Sequence, residues 1–477
     1  MLGPILALLV YGLMTSNGSD SLPSKAAALL VWMAVWWVSE AVNLYVTSLL
    51  PIIFLPLTGV MKMEDVAPNY MNEVIFLFIG GFLFAYALEK WNLHNRIALN
   101  IILKTGKTPS SVLFGVMFSA YFISMWINNT ATTAMLIPAV LAISGQISKE
   151  DNEHGIAAPL LIGLAFSASI GGMATFIGTA PNMIFLKEYT AAFPDGTPIS
   201  FASWMAFGVP VSFLLFLGCF YVLKWQYRKL FTSQNIDLSQ CKKDLENLGP
   251  LRYEEKWMIF FFVLSFLGWF FLKEIKIGSL VIPSWTNIFS LPPKMVTEST
   301  VAMFIVFVLF FIPSKNKADR LITWKEVKKL PVGIIFLFGG GFALSKAVDV
   351  TELDLSMASL LSNWASISPW LLVLLLVIFM TVLSEFASNT ASLQLVFPVL
   401  VTFVGHLSAD PLVVLIPVTL AASCGFMLPI ATPPNTIVFG SEKITSSQMI
   451  RAGFWVDILG ITIITLISMT LLQWMLG

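Results

Sequence analysis

Charged residues are scarce in this sequence of 477 residues. Asp, Glu, Lys and Arg together make up 11% of the chain, whereas apolar residues make up 57%. A soluble domain usually carries about 25% charged residues, so most of this chain must lie in lipid. Acidic and basic residues balance at 27 each, which argues against a nucleic-acid partner.

Cysteine is also rare. The three cysteines, Cys219, Cys241 and Cys424, are scattered singly, and they imply neither a disulfide framework nor a zinc site. Where polar residues interrupt the long apolar stretches of the chain, there is no nucleophile–base pair and no cluster of metal-ligating residues. We therefore expect a protein that is not an enzyme and has no resident cofactor, with Na⁺ as the one candidate coupling ion.

Apolar segments near the roughly 20 residues needed to cross a bilayer recur along the chain. They fall at 2–16, 25–42, 43–60, 71–91, 157–187, 203–223, 256–272, 296–312, 331–350, 410–440 and 453–476. Two further apolar segments, 111–145 and 368–405, are interrupted at their centres by small polar residues. The sequence predicts an all-α multi-pass membrane protein, with residues 1–24 as an extra N-terminal span that is retained.

The basic loops predict the orientation, because loops rich in Lys and Arg stay in the cytoplasm. Such loops run over residues 224–256, 315–329 and 90–107. Counting spans between them places the N-terminus in the cytoplasm and the C-terminus outside. We expect a multi-pass protein of the cell membrane, with the lipid bilayer as its surroundings.

Three motifs of the sequence occur twice, in the same order. Residues 76–82, FLFIGGF, match residues 336–342, FLFGGGF, at an offset of 260 residues. The same offset carries Asn129-Thr130-Ala131 onto Asn389-Thr390-Ala391. Further on, residues 178–182, GTAPN, match ATPPN at an offset of 253 residues. The order of these motifs predicts two copies of one unit.

The two copies are predicted to be inverted, because the basic loops place their FLF spans in opposite directions across the membrane. The first copy covers 25–225 and the second covers 256–477, with 226–255 as a cytoplasmic linker. Inverted copies with a binding site between them are typical of secondary transporters. A gene duplication without mechanistic meaning is the alternative.

The two interrupted segments are predicted to be re-entrant hairpins. Their arms of roughly 15 residues are short for a full crossing. Their tips contain Asn and Thr without the turn formers of a water-exposed loop, which suits a tip buried in protein. Two full spans would return the chain to the same side and are the alternative.

Each tip is also predicted to begin a helix, because Asn, Ser and Thr are preferred N-caps. The free N–H groups and positive dipole end of such a helix favour an anion. The GTAPN and ATPPN motifs break two further apolar segments. Proline in these motifs removes a helix hydrogen bond and leaves carbonyl groups free to bind a hard cation. Glu385, one turn before the second tip, is either functional or a brace for the hairpin. These polar residues could also simply pack against neighbouring helices.

The paired motifs resemble the divalent anion/sodium symporter family over nearly the whole chain, from about residue 25 onwards. The resemblance implies about eleven transmembrane helices plus two re-entrant hairpins, scaffold and transport domains, a homodimer and an elevator-type mechanism. It implies di- and tricarboxylates or sulfate as substrates. The substrate-binding residues that it implies are Asn129, Thr130, Asn389, Thr390, Thr179, Thr432 and Pro433. The implied sodium sites are Ser124, Asn128, Asn129 and Gly178, and Ser384, Ser388, Asn389 and Ala431.

The sequence departs from this family at Asn128, where serine is expected. Asparagine is longer, and we expect its amide nitrogen to enter the space of a sodium ion. This favours exchange (antiport) of one dicarboxylate of the succinate, malate, fumarate and 2-oxoglutarate class for another. The alternative is sodium-coupled symport of di- or tricarboxylates or sulfate. An anion channel fits less well, because channels build selectivity from rings of symmetric subunits.

Overall fold

The computed structural model describes residues 2–16, 21–145, 155–232, 236–277, 280–292, 295–315, 319–353, 367–405, 407 and 410–472. Within these ranges the chain is predominantly helical. The strands found there are β1, Ile275–Ile277, and β2, Leu280–Ile282, which pair antiparallel with Lys276 opposite Val281. The expected all-α class therefore holds, apart from this small hairpin.

The helices before the predicted linker come first. They are α1 Leu2–Ser16, α2 Ser21–Ser39, α3 Leu44–Thr47, α4 Leu50–Leu57, α5 Met63–Val66, α6 Glu73–Lys90, α7 Leu93–Thr105, α8 Pro109–Ser124, α9 Asn129–Gly145, α10 Ala157–Gly172, α11 Ala180–Ala192 and α12 Phe201–Gln226. Short 3-10 helices lie at Ala67–Tyr70 and Arg228–Thr232.

The remaining helices follow the linker or lie in it. They are α13 Ser239–Asn247, α14 Tyr253–Phe270, α15 Trp285–Ile288, α16 Glu298–Leu309, α17 Trp324–Val327, α18 Val332–Val350, α19 Pro369–Phe386, α20 Asn389–Gly405, α21 Leu412–Ala421, α22 Pro433–Phe439 and α23 Ser446–Ile467. A π-helical turn at Ser468–Leu472 continues α23.

Several helices are long and apolar enough to cross a membrane. By length and composition there are six of them in the described ranges: Ser21–Ser39, Met63–Lys90, Phe201–Gln226, Val332–Val350, Pro369–Phe386 and Ser446–Thr470. Eight shorter apolar helices accompany them. A chain with this many apolar helices is a multi-pass membrane protein. The count of eleven spans and the inversion of the two copies stay predictions.

Two regions are more helical than the sequence analysis expected. The basic loop 90–107 contains α7, and the linker 226–255 contains α13. Both helices carry too many polar residues to stand out as apolar segments, and both pack on their neighbours, α7 against α8 and α13 against α7. Their stability therefore comes from contacts with the rest of the protein rather than from an apolar span.

The two predicted hairpins are helix pairs. In the first, α8 and α9 have 16 and 17 residues and are joined by four residues. In the second, α19 and α20 have 18 and 17 residues and are joined by Ala387 and Ser388. At 1.5 Å per residue these arms are about 24–27 Å long, shorter than a hydrocarbon core of about 30 Å. The arms of the first hairpin fit a re-entrant hairpin, whereas Pro369–Phe386 is also long enough to cross a membrane. Both re-entrant hairpins stay a prediction.

Both long segments that the sequence analysis expected to be broken are broken. Residues 157–187 divide into α10 and α11, and residues 410–440 divide into α21 and α22. In each case the second piece begins beside a proline in its first turn, a position that needs no intrahelical N–H donor. The breaks therefore follow from the Thr-x-Pro motifs that mark them.

Helix α10 lies at the centre of the protein. All 16 of its residues are buried, and it packs against α8, α9, α12 and α22. The halves of the chain also cross over, because α9 packs against α22 while α20 packs against α11. The outgoing arm of each hairpin therefore lies against the second piece of the other half's broken helix.

Candidate functional site

The first hairpin tip is organised around the side-chain amide of Asn129. One terminal atom of this amide lies 2.7 Å from Ser124 Oγ, 3.1 Å from the Ala168 carbonyl oxygen and 3.3 Å from the Gly178 carbonyl oxygen. With the amide nitrogen at this position, Asn129 donates hydrogen bonds to these oxygens. With the amide oxygen there, four oxygen atoms converge, and such a set suits a hard monovalent cation.

Close backbone packing brings Asn129 to this position. A Cβ atom at Gly172 would lie 2.5 Å from Asn129 Oδ1, and one at Gly171 would collide with the Tyr121 carbonyl of α8. A side chain at either glycine would therefore push the hairpin away from α10. The sequence contains Gly171-Gly172 at the end of α10 because the hairpin contacts that backbone directly.

The second hairpin tip has the same internal hydrogen bond. Ser384 Oγ lies 2.7 Å from Asn389 Oδ1, as Ser124 Oγ lies 2.7 Å from one terminal amide atom of Asn129 in the first tip. Ser384 Oγ also lies 2.6 Å from the Ala422 carbonyl oxygen, in the break after α21. Both serines are fully buried. The serine and the asparagine of the two tips thus occur at positions related by the 260-residue offset.

Two asparagines that the sequence analysis quoted only as parts of motifs hold the breaks together. Asn182 Nδ2 donates to the carbonyl groups of Gly172 at 3.1 Å and Thr175 at 2.7 Å. Asn435 Nδ2 donates to the carbonyl groups of Gly425 at 3.1 Å and Leu428 at 3.0 Å. In each half the acceptors lie ten and seven residues before the asparagine. Both side chains are fully buried.

Sequence analysis missed these asparagines as site residues because a motif does not show which earlier backbone carbonyls its side chains will contact. The chain must first reverse at the break before an amide reaches carbonyls seven to ten residues earlier. The available signal was the exact correspondence of Asn182 and Asn435 at the 253-residue offset. The Ala168 and Ala422 carbonyls were also missed, because a backbone ligand leaves no mark on residue type.

The predicted substrate residues have different degrees of exposure. Thr130 is exposed, and Asn129, Asn389 and Thr390 are half-buried. A threonine or asparagine at a helix start has free N–H groups nearby, so these residues can present donors to an anion. Whether the two tips share one substrate stays a prediction.

Three further predicted substrate residues lie at the starts of the second helix pieces. Thr179 and Thr432 are buried N-cap residues of α11 and α22. The Thr432 side chain accepts a hydrogen bond from the Asn435 N–H at 3.3 Å, while Pro433 beside it is exposed. Thr432 is therefore committed to its helix through its side-chain oxygen, although its hydroxyl hydrogen is free for another acceptor.

Asn128 has a local role in this structure. Its Oδ1 accepts a hydrogen bond of 2.8 Å from the Ala131 N–H and so caps α9, a role that serine fills equally well. Asn128 also lines a small cavity beside Phe78, Gly81 and Phe82 of α6. The cap accounts for an asparagine here without reference to a cation.

Predicted ligands Gly178, Ser388 and Ala431 lie near these tips. Gly178 belongs to the set around Asn129, and the Ser388 carbonyl accepts from the Ser392 N–H at 2.8 Å at the start of α20. A Cβ atom at Gly425 would lie 3.3 Å from the Ala431 side chain and 3.6 Å from Asn389 Oδ1. Ala431 is therefore close to the second tip.

The described residues contain no group of three or more His, Cys, Asp or Glu side chains that could hold a metal ion. A cation in this protein would therefore rely on hydroxyl, amide and carbonyl oxygens, which are the atoms found at both tips. Such neutral ligands suit a weakly held alkali ion better than a tightly bound divalent or transition metal.

Comparison with known proteins gives a family and two related folds. The family model described as the sodium:sulfate symporter transmembrane region matches residues 2–477. The sodium-dependent dicarboxylate transporter SdcS of Staphylococcus saprophyticus is 38% identical over 499 residues, covering 100% of this chain and 91% of the relative. The protein of the same name from Staphylococcus aureus is 37% identical over 500 residues, with the same coverage.

Two solved transporters share the fold at low sequence identity. The YdaH transporter of Alcanivorax borkumensis gives a TM-score of 0.61 at 13% identity, covering 94% of this chain and 98% of that one. MtrF of Neisseria gonorrhoeae gives a TM-score of 0.55 at 15% identity, covering 87% and 84%. At these identities the likeness concerns the fold alone.

Proposed function

This chain belongs to the sodium:sulfate symporter family, and from that premise we propose that it is a sodium-coupled carrier of dicarboxylates. Membership makes the chain a secondary transporter. The finer assignment is supported by one observation above all, the set of oxygen atoms around Asn129 and its counterpart at Asn389. The names of the relatives from Staphylococcus support it as well.

The cation ligands in this proposal are neutral oxygens from a tip and a break in each half. Ser124, Asn129 and the Ala168 and Gly178 carbonyls form the first set, and Ser384, Asn389 and Ala431 belong to the second. A bound sodium ion supplies positive charge beside the substrate site. The protein itself fixes these oxygens through the buried serines and the close contacts of Gly172 and Gly425.

The substrate in this proposal is a dianion of the succinate class, bound between the tips. Thr130 and Thr390 lie in the first turns of α9 and α20, where free N–H groups and the positive helix end favour a carboxylate. The Asn129 amide has one further task. When its oxygen faces the Ser124 set, its nitrogen faces away from that set and is free to donate to the carboxylate.

The proposal includes an elevator-type movement of a transport domain within a homodimer. It places the homodimer in the cell membrane, with the N-terminus in the cytoplasm. The crossing contacts of α9 with α22 and of α20 with α11 support a transport unit drawn from both halves. Such a unit would carry both tips together, so the oxygen sets and the dianion site keep their geometry during transport.

Exchange of dicarboxylates without sodium is the second candidate function, and Asn128 is the observation that favours it. Under this hypothesis the Asn128 amide replaces the cation. The cap from the Ala131 N–H to Asn128 commits only the amide oxygen, so it gives Asn128 a local role and leaves the nitrogen free. Asn128→Ser separates the two: a gain of sodium dependence favours the exchange hypothesis, and unchanged behaviour removes the reason for it.

The deciding experiment is uptake of radiolabelled succinate into proteoliposomes that are empty or preloaded with succinate, with and without an inward sodium gradient. Sodium-driven uptake into empty vesicles is the expected result. Uptake that needs internal succinate and ignores sodium would replace the proposal with exchange. Uptake of sulfate or citrate in preference to succinate would correct the substrate class alone.

A further inference from the structure

Glu385 is a carboxyl group with no exposed surface, one residue after Ser384 in the second hairpin. Its two oxygens accept hydrogen bonds from consecutive backbone N–H groups, Met427 at 2.8 Å and Leu428 at 2.9 Å. These N–H groups belong to the break between α21 and α22. A single side chain therefore joins the hairpin to the break by two hydrogen bonds.

The bonded segment leads directly to a predicted cation ligand. The Ala431 N–H donates to the Leu428 carbonyl at 3.1 Å, which closes a turn from Leu428 to Ala431. Asn435 Nδ2 donates to the same carbonyl at 3.0 Å. Glu385 thus fixes the first residue of a turn whose last residue, Ala431, lies close to Asn389 across Gly425.

In the first half of the chain, a different hydrogen bond joins the corresponding positions of the hairpin and the break. The position that corresponds to Glu385 at the 260-residue offset is Met125, and the position that corresponds to Leu428 at the 253-residue offset is Thr175. The Thr175 hydroxyl donates to the Met125 carbonyl oxygen. The turn from Thr175 to Gly178 is closed in the same way, by the Gly178 N–H on the Thr175 carbonyl at 3.4 Å.

We propose that Glu385 is a positioning residue for the second cation site: it holds the turn from Leu428 to Ala431 against the hairpin tip, as the Thr175 hydroxyl does in the first half. A carboxylate is needed in the second half because Leu428 has no hydroxyl to donate. A methionine suffices at position 125 because the bond there uses the backbone carbonyl. The proposal rests on sodium coupling as proposed above.

The first test measures transport. Glu385→Met removes both hydrogen bonds, and the half-saturating sodium concentration for succinate uptake is expected to rise about tenfold, since the turn then loses two bonds to the hairpin. The apparent KM for succinate at saturating sodium should change much less. An equal loss in both quantities would overturn the positioning role.

The rescue variant tests the correspondence between the halves. Glu385→Met combined with Leu428→Thr supplies the hydroxyl that Thr175 supplies in the first half. We expect the double variant to recover most of the sodium affinity that Glu385→Met loses. A double variant no better than the single one would overturn the proposal, because a general packing role for Glu385 predicts no such recovery.

A second measurement separates this proposal from sodium coupling itself. Hydrogen exchange of purified protein in sodium-free buffer reports on the Met427 and Leu428 amides directly. Glu385→Met should speed their exchange at least tenfold and leave the amides of the first break unchanged; equal rates in variant and wild type would overturn the proposal. If wild-type uptake ignores sodium, the proposed function fails, while the exchange rates still decide whether Glu385 holds the turn.

Discussion

The hydroxyl of Ser345 on α18 donates a hydrogen bond to the carboxyl group of Glu188 on α11. One residue earlier, the Lys187 ammonium lies 5.6 Å from the centre of the Phe342 ring, also on α18. These contacts join the FLFGGGF helix of the second half to the second piece of the broken helix of the first half. The hydrogen bond between Ser345 and Glu188 is polar at both ends, so it can be tested separately from the aromatic contact beside it.

The contact gives a test of the elevator-type movement. Glu188→Cys together with Ser345→Cys places two thiols on α11 and α18, and a short bifunctional thiol reagent should join them. If α11 moves past α18 during transport, the joined protein should lose nearly all succinate uptake, and reduction of a cleavable reagent should restore it. The native thiols Cys219, Cys241 and Cys424 are buried and give little background.

A pair within one helix is the control for this test. Lys346 and Asp349 are exposed and form an ion pair of 2.7 Å along α18. Joining Lys346→Cys to Asp349→Cys should leave uptake intact, because no movement between helices is blocked. Full activity of the joined Glu188–Ser345 pair would mean that α11 and α18 keep their relative position.

The stability of the bundle is expected to depend on Arg96, which lies in α7. Its guanidinium donates to both oxygens of the buried Glu255, at 2.7 and 3.0 Å, and to the Gly249 carbonyl at 2.9 Å. Arg96→Ala should cost about 3–5 kcal/mol because it removes the charged partner of a buried carboxylate and leaves it only the Arg252 N–H. The melting temperature in detergent should fall by several degrees.

The exposed pair of Lys242 and Glu246 in α13 is the control for Arg96. Its two side chains are 3.8 Å apart and largely exposed, and such pairs contribute about 0–1 kcal/mol. Lys242→Ala should therefore melt close to wild type. Equal melting temperatures for Arg96→Ala and Lys242→Ala would contradict the prediction.

The cation sets predict matched effects at the two buried serines. Ser124→Ala and Ser384→Ala each remove one hydroxyl oxygen from a set, so each should raise the half-saturating sodium concentration about tenfold. Ser119→Ala is the control on the same helix as Ser124. Ser119 is equally buried, but its hydroxyl donates within α8 to the Gly115 carbonyl at 2.7 Å.

The control decides what the serine effects mean. A tenfold shift in Ser119→Ala as well would indicate that any lost hydroxyl loosens the hairpin. A shift in Ser124→Ala without one in Ser384→Ala would indicate a single coupled sodium ion at the first tip. Sodium titrations of succinate uptake at fixed external succinate measure all three variants.

The sequence alone predicted the parts of the fold that depend on local signals. The FLFIGGF and FLFGGGF segments are the helices α6 and α18, and both hairpin tips begin helices at Asn129 and Asn389, as their capping residues require. The resemblance to the divalent anion/sodium symporters is confirmed by the family model over residues 2–477. Apolar length, capping and motif order are all readable without knowing which elements meet.

The features that the sequence did not predict depend on distant parts of the chain. Arg96 and Glu255 are 159 residues apart, and nothing near either one indicates the partner. Helix α13 is polar and short, so its sequence does not predict a helix; it packs on α7 in the folded protein. The bonds from the Met427 and Leu428 N–H groups to Glu385 follow from the geometry of the break, so no local signal near Glu385 indicates them.

The last prediction concerns Asn182 and Asn435, which close the two breaks. Asn→Asp keeps the size of the side chain but replaces an amide donor with an acceptor, so carbonyls that accept from each amide would face a second oxygen. A buried acceptor left without a donor costs about 1–3 kcal/mol, and more for a charged group. We expect Asn182→Asp and Asn435→Asp each to lower succinate uptake at least a hundredfold and to lower the melting temperature. Asn287→Asp, at an exposed position, should change neither.

Because the same amide holds the turn that ends at Gly178 or Ala431, a variant that melts normally but transports poorly would place the damage in the cation ligands. Near-normal uptake in both variants would mean that the breaks keep their shape without these amides.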